Sequence, residues 1–135
     1  MKGISISFAY NPPQHIVPSI PYLRLRFSSD TSLDLTAQYT NRTSTENPFI
    51  FDSALILPPA KAGDLLLATG LGFTFYSHAG NSFTLSLLLQ LEKSILPDIK
   101  AGIIYQPFSY INTNNGKDSY IRINGISSIR LSWEL

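Results

Sequence analysis

Cysteine is absent from the chain, which excludes a disulfide framework and a thiolate centre. Long apolar runs are missing too. No stretch approaches the roughly 20 residues that a spanning helix requires; the longest unbroken ones are of the order of Leu65–Ala68. Charge is scarce. Asp, Glu, Lys and Arg make up 14% of the 135 residues, against about 25% in an average soluble domain. Net charge is +1 without a basic cluster, so the electrostatic footprint of a nucleic-acid binder is lacking. Helical spacing of apolar residues is almost absent. A chain of this length is read as one domain, 1–135.

What the sequence has instead is alternation. The segment "FTLSLLLQLEKSILPDIKAGIIYQPF" opens with Phe83, Leu85, Leu87, Leu89 and Leu91 at every second position. After a charged break it alternates again. Eight such runs are predicted as strands, at roughly 3–10, 21–28, 32–40, 49–57, 65–76, 83–92, 100–108 and 119–135. The breaks carry turn chemistry, as in "NPPQHIVPSIP", "SSDTS", "PPAKAGD" and "HAGNS". Prolines fall in the breaks because Pro cannot donate to a strand ladder; Pro107 is the exception. Regular strands without helices predict an all-β meander.

Each run divides into two faces. One is made of Leu, Ile and aromatic residues and carries no charge. The other is small and polar, with Ser5, Ser7, Ala68, Gly70, Gly72 and Ser86. It also holds five cations, Arg24, Arg26, Lys100, Arg122 and Arg130, and four anions, Asp34, Asp52, Glu92 and Glu134.

Alternation alone leaves open which face points inward. A soluble barrel or sandwich would turn the apolar face in. Three features argue for the reverse. Small residues on the polar face suit the narrow lumen of an eight-stranded barrel. Five cations against four anions are compatible with an enclosed ion-pair network, in which each charge needs a partner. The aromatics sort by height. In an up-and-down meander, Tyr10, Tyr39, Phe73, Phe75 and Tyr105 lie towards the ends of odd strands, and Phe49, Phe51 and Phe83 open even ones. All eight are therefore expected near one end, called here the top. Phe27 and Trp133 are expected near the bottom. Aromatic girdles around an aliphatic band are what a membrane interface selects.

The expected fold is an eight-stranded antiparallel up-and-down transmembrane β-barrel. Its lumen would be plugged by the charged network and not open as a pore, because eight strands leave room for side chains and little else. Arg24, Arg26, Arg122 and Arg130 would crowd across Ser5 and Ser7.

This pattern resembles the small outer-membrane barrels of the OmpA and OmpX type over nearly the whole chain. The C-terminal "ISSIRLSWEL" adds to the likeness, with Ile129, Leu131, Trp133 and Leu135 on one face. It is similar to the terminal assembly signal of such barrels, which ends on an aromatic residue; here Leu135 is last and Trp133 stands two before it. The resemblance implies a Gram-negative-type outer membrane. The expected partners are a lipid bilayer and other outer-membrane proteins or lipopolysaccharide, with contacts through loops 11–20, 41–48 and 109–118. It implies no specific activity. Since "MKGISISFAY" lacks an apolar signal core, the exported reading takes the sequence as a mature chain without its signal peptide.

Three other readings stand beside this one: a soluble β-barrel holding an apolar ligand, a portion of a larger barrel, and a rim-sited acyl hydrolase. The hydrolase would use His78 with Ser77 or Ser82, all in or beside "FYSHAGNS". It needs nucleophile, base and an orienting group in hydrogen-bond reach, and Glu92 is placed at the wrong end of its strand for that. No cofactor or metal is implied. His15 has no partner at ligand spacing, Asn41 matches a sequon that is common by chance, and Gly116-Lys117 lacks the phosphate-loop context.

Overall fold

The computed structural model describes residues 1–10, 20–39, 49–77, 80–113, 115–123 and 127–135, apart from the side chains of Ala9, Tyr10, Ile20, Pro21, Gln38, Tyr39 and Ser127. The strands are β1 (Gly3–Tyr10), β2 (Ile20–Arg26), β3 (Ser32–Tyr39), β4 (Phe49–Ile56), β5 (Ala60–Ala62), β6 (Leu65–Ser77), β7 (Asn81–Leu96), β8 (Ile99–Thr113), β9 (Asp118–Ile123) and β10 (Ser127–Glu134). There is no helix among the described residues. Every ladder is antiparallel, and the ring runs β1-β2-β3-β4-β6-β7-β8-β10 and back to β1. It is a closed, eight-stranded, up-and-down barrel. The chain supplies its own closure, with Ser5 opposite Glu134 and Phe8 opposite Leu131, so the ring has no gap for strands of a larger barrel.

The strands are steeply inclined. Register partners followed from Ser5 pass through Arg24, Asp34, Ala54, Gly72, Ser86 and Ser109 to Arg122. Ser5's own partner on that last arm is Glu134, far below Arg122 in the same arm. This stagger is the shear that closing a sheet demands, and it tilts the strands against the axis.

Four local features depart from the alternation pattern. The charged break after Leu91 is not a break: β7 runs on to Leu96, and only Pro97 and Asp98 turn the chain. Glu92 and Lys93 fit because a strand sends consecutive residues to opposite faces; Glu92 is buried inside and Lys93 exposed. Within "PPAKAGD", β5 forms a short hairpin onto β6, turned at Gly63, whose φ of 63° suits glycine. Pro107 stands mid-strand, at a bulge where Leu87 and Leu89 face Phe108 and Tyr105. A bulge tolerates proline because the extra residue leaves the ladder. The final run is two strands. β10 pairs with β8 below the bulge, and β9 pairs with it above. Most of the expected loop 109–118 is therefore strand, with β8 running to Thr113 and β9 starting at Asp118, and the described turn residues are 115–117, where Asn115 and Gly116 take positive φ.

The polar face is the inner one. Ser5, Ser7, Asp34, Ser86, Gln90, Glu92, Arg130 and Ser132 are buried. The outer wall is leucine, isoleucine and aromatic rings. Leu71 is 64% exposed and Trp133 58%. The bulge inverts this parity along β8. Ile103 is exposed and Ile104 buried below it, whereas Phe108 and Tyr110 are exposed and Ser109 buried above it.

A small apolar cluster also fills the lumen, made by Ile56, Ala68, Leu88 and Ile104 with Ala54 against them. The small inward residues make room for it. A Cβ on Gly70 would lie 2.5 Å from the Leu55 carbonyl oxygen and 2.9 Å from Ile56 Cδ1. Only glycine fits there.

Candidate functional site

The lumen's polar groups hang from inward positions of every strand of the ring, from Ser7 on β1 and Thr74 on β6 to Arg130 on β10. Arg24 and Asp34 are cross-strand partners on β2 and β3, so their side chains leave the wall side by side. Arg24 donates to Asp34 as a fork, Nε to Oδ1 at 2.6 Å and Nη2 to Oδ2 at 2.9 Å. Such bidentate pairs are the strong form of the charge-assisted bond. The same guanidinium then crosses the lumen to β7. Its Nη1 donates to Glu92 Oε2 at 3.1 Å, and Nη2 to Gln90 Oε1 at 2.9 Å. Arg130, from β10, donates from Nη1 to Asp34 Oδ2. Asp34 therefore serves two arginines, and it is 0% exposed.

Arg130 carries the network upward. Its guanidinium carbon lies 4.5 Å from the centre of the Tyr22 ring, a distance at which the ring face attracts a cation. Tyr22 donates its hydroxyl to Asp52 at 3.0 Å, and Thr74 donates to the other Asp52 oxygen at 3.0 Å. Thr74–Asp52–Tyr22–Arg130–Asp34–Arg24–Glu92 is one connected chain of contacts from β6 across the lumen to β7. Below it, Glu134 accepts from Arg26 and, at 2.7 Å, from Lys100. Two hydroxyl pairs, Ser7 with Ser132 and Ser86 with Ser109, each at 2.9 Å, satisfy polar groups at places too narrow for larger side chains.

Eight of the nine charged residues assigned to the lumen thus make these contacts. Arg122 stands apart. It lies on β9 opposite Ser109, not in a crowd across Ser5 and Ser7. Its Nε is buried without a hydrogen-bond partner among the described residues, as is that of Arg130. The pairing on Ser7 is Tyr22 on one side and Ser132 on the other. Tyr22 is the network member that the sequence reading passed over. Its parity with Arg24 and Arg26 on one strand was the available signal.

The aromatics on the outer wall cluster on the upper part of β4, β6, β7 and β8. Phe51 faces Phe75, and Phe75 faces Phe83 across adjacent strands. Phe73 stacks on Phe83 with centroids 6.2 Å apart, and Phe83 meets Tyr110 at 6.3 Å. Phe49 pairs with Ser77 and by register with Tyr39 at the upper ends of their strands; Tyr10 is likewise the last residue of β1. Phe27 and Trp133 sit at the lower end and are exposed. Tyr105 is misplaced by the sequence reading. β8 runs on to Thr113, so Tyr105 lies mid-wall opposite Leu89.

His78, like His15 and Asn41, lies outside the described residues. Ser77 is opposite Asn81, and Ser82 is opposite Tyr76 and gives its hydroxyl to the Tyr76 carbonyl at 3.5 Å. No grouping of His, Cys, Asp and Glu among the described residues is arranged to hold a metal. Comparison with protein-family models, with curated proteins and with solved structures gives no match.

Proposed function

We propose that the protein is an integral outer-membrane β-barrel with a structural or interaction role, its lumen closed by the charged network. The observation that carries this reading is the inversion of the wall: apolar side chains outside, ion pairs inside. A protein surrounded by water gains by the opposite arrangement, since burying apolar surface is worth roughly 25 cal/mol per Å². Hydrocarbon as the outer solvent removes that penalty, and a closed barrel leaves no backbone group unpaired in it.

The height fits as well. The outward run from Leu65 to Phe75 on β6 covers about 33 Å at ~3.3 Å per residue. A tilt of ~45° reduces that to about 23 Å, close to the ~25 Å band of an outer-membrane barrel. Aromatic rings cluster towards the top of the long strands, with Phe27 and Trp133 at the bottom. Likeness to the OmpA and OmpX type rests on this wall and on the alternating C-terminal strand. Partner contacts fall to the connections after β1 and β3, at the top.

Folding into detergent tests the reading. The expected result is a β-rich species whose migration on a detergent gel shifts on heating. A monodisperse, β-rich monomer obtained in buffer without detergent would overturn it in favour of a soluble barrel.

A further inference from the structure

The lower end of the lumen opens into a cavity of about 320 Å³. Five basic side chains border it, Lys2, Arg24, Arg26, Lys61 and Lys100, against three carboxylates, Asp30, Glu92 and Glu134. The carboxylates are already committed. Asp30 accepts from Lys2 at 2.7 Å. Glu92 belongs to Arg24. Glu134 meets both Arg26 and Lys100 through a single oxygen, Oε1, so one negative charge serves two positive ones.

Lys61 adds a further positive charge. It sits on β5 opposite Leu66, and residues opposite each other in a ladder share a face. Leu66 has the inward parity of Ala68 and Gly70, so the β5–β6 hairpin puts Lys61 on the lumen side of the wall. Lys61 has no ion-pair partner among the described residues. With five cations against three carboxylates, two of the cations sharing the single charge of Glu134, the recess concentrates positive potential. Buried Ser5 and Ser32 add hydroxyls to its lining.

We infer that this lower vestibule binds a phosphate-class anion, held by Arg26, Lys61 and Lys100. The guanidinium fork and the ammonium groups suit the oxygens of a phosphate. Ligand sites occupy about 300–1,000 Å³, and this cavity is at the small end, so it takes a single phosphate group or lipid headgroup and not a polymer. Free phosphate and a phospholipid headgroup share that chemistry, and two arms of one experiment separate them.

The full chain, in dodecyl maltoside or in buffer if it folds there, is titrated calorimetrically with inorganic phosphate and with pyrophosphate. In parallel, it is released from phosphatidylglycerol or phosphatidylcholine nanodiscs into a native mass spectrometer. Saturable binding at one site is expected in the first arm, or retention of one phosphatidylglycerol and no phosphatidylcholine in the second. Lys61→Ala and Lys100→Gln should each weaken it about tenfold or more, the loss of one charge-assisted contact. Lys117→Ala, at the opposite end of the barrel, should leave it unchanged. Lys61 is exposed, so its variant keeps the test alive if Lys100→Gln fails to fold. No saturation in either arm, or a Lys61→Ala variant that binds like the wild type, overturns the inference.

Discussion

Leu87 and Leu88 are neighbours of identical chemistry, yet Leu87 is 43% exposed and Leu88 2%. Leu87 belongs to the outer wall, flanked by Leu71 and Phe108 on the adjoining strands. Leu88 is one of the few apolar groups inside, packed with Ile56, Ala68 and Ile104. The two faces of the wall obey different rules. Inside, volume and charge balance decide what is tolerated, so glycine and serine recur and Arg24, Arg130, Asp34 and Glu92 sit in mutual ion pairs. Outside, neither matters, and bulk and apolarity prevail from Leu65 to Phe75 and from Phe83 to Leu91.

The comparison can be broken most severely at Asp34. Asp34→Ala leaves Arg24 and Arg130 buried without their shared counter-charge. Removing one partner of a buried pair costs about 3–5 kcal/mol, to be read from denaturant unfolding of the folded barrel. On the outer face, Leu87→Arg is expected to cost about 2–4 kcal/mol at mid-height, whereas Trp133→Arg near the lower edge should cost about 0–1 kcal/mol. That gradient separates a hydrocarbon surrounding from water, in which neither change would depend on height. Gly70→Ala tests the volume rule. Its Cβ meets backbone at 2.5 Å, and overpacking of this kind costs about 1–3 kcal/mol; Gly72→Ala, whose nearest contacts are all on the Leu88 side chain from 3.4 Å outward, should cost less.

The smallest effect is at the rim. The Lys2 ammonium holds the exposed Asp30 carboxyl below its ordinary range. Its contribution is complete above the unfolded value and fades as pH falls through the lower folded one. Exposed pairs are screened by solvent and salt. Asp30→Asn is therefore expected to leave both stability and its acid profile unchanged within error.

Much of the fold was legible because a strand has a period of two and the barrel needs one face of each kind. The runs around Ile4–Phe8, Leu23–Phe27 and Phe83–Leu91 show their parity directly, and Arg24, Asp34, Glu92 and Arg130 inherit their inward positions from it. What parity does not contain is shear. That Arg24 reaches Glu92 and Gln90 across the lumen, and that Arg122 ends up opposite Ser109 away from the other arginines, follows from the stagger of the whole ring. Nor does a repeating pattern announce its own interruption. Beyond the bulge at Gln106 and Pro107 the parity reverses, which turns Phe108 and Tyr110 outward, while Tyr105 lies at mid-wall because β8 runs on to Thr113. β5 was hidden because its Ala-Lys-Ala lies inside a proline- and glycine-rich stretch that reads as a turn. The lumen's Tyr22 was obscured by chemistry, since an aromatic residue beside leucines looks like wall.

The pairing of β1 with β10 has a kinetic consequence. Neighbouring hairpins such as β6–β7–β8 can form from nearby sequence, but Ser7 must find Ser132 across nearly the entire chain. Contacts of such separation are slow to form. Until they do, the first and last strands each present a row of unsatisfied amides, a template for any other strand that arrives first. Closure is thus the step at which assembly is most exposed to competition, and a chain arrested before β10 would offer two sticky margins where the finished barrel has none.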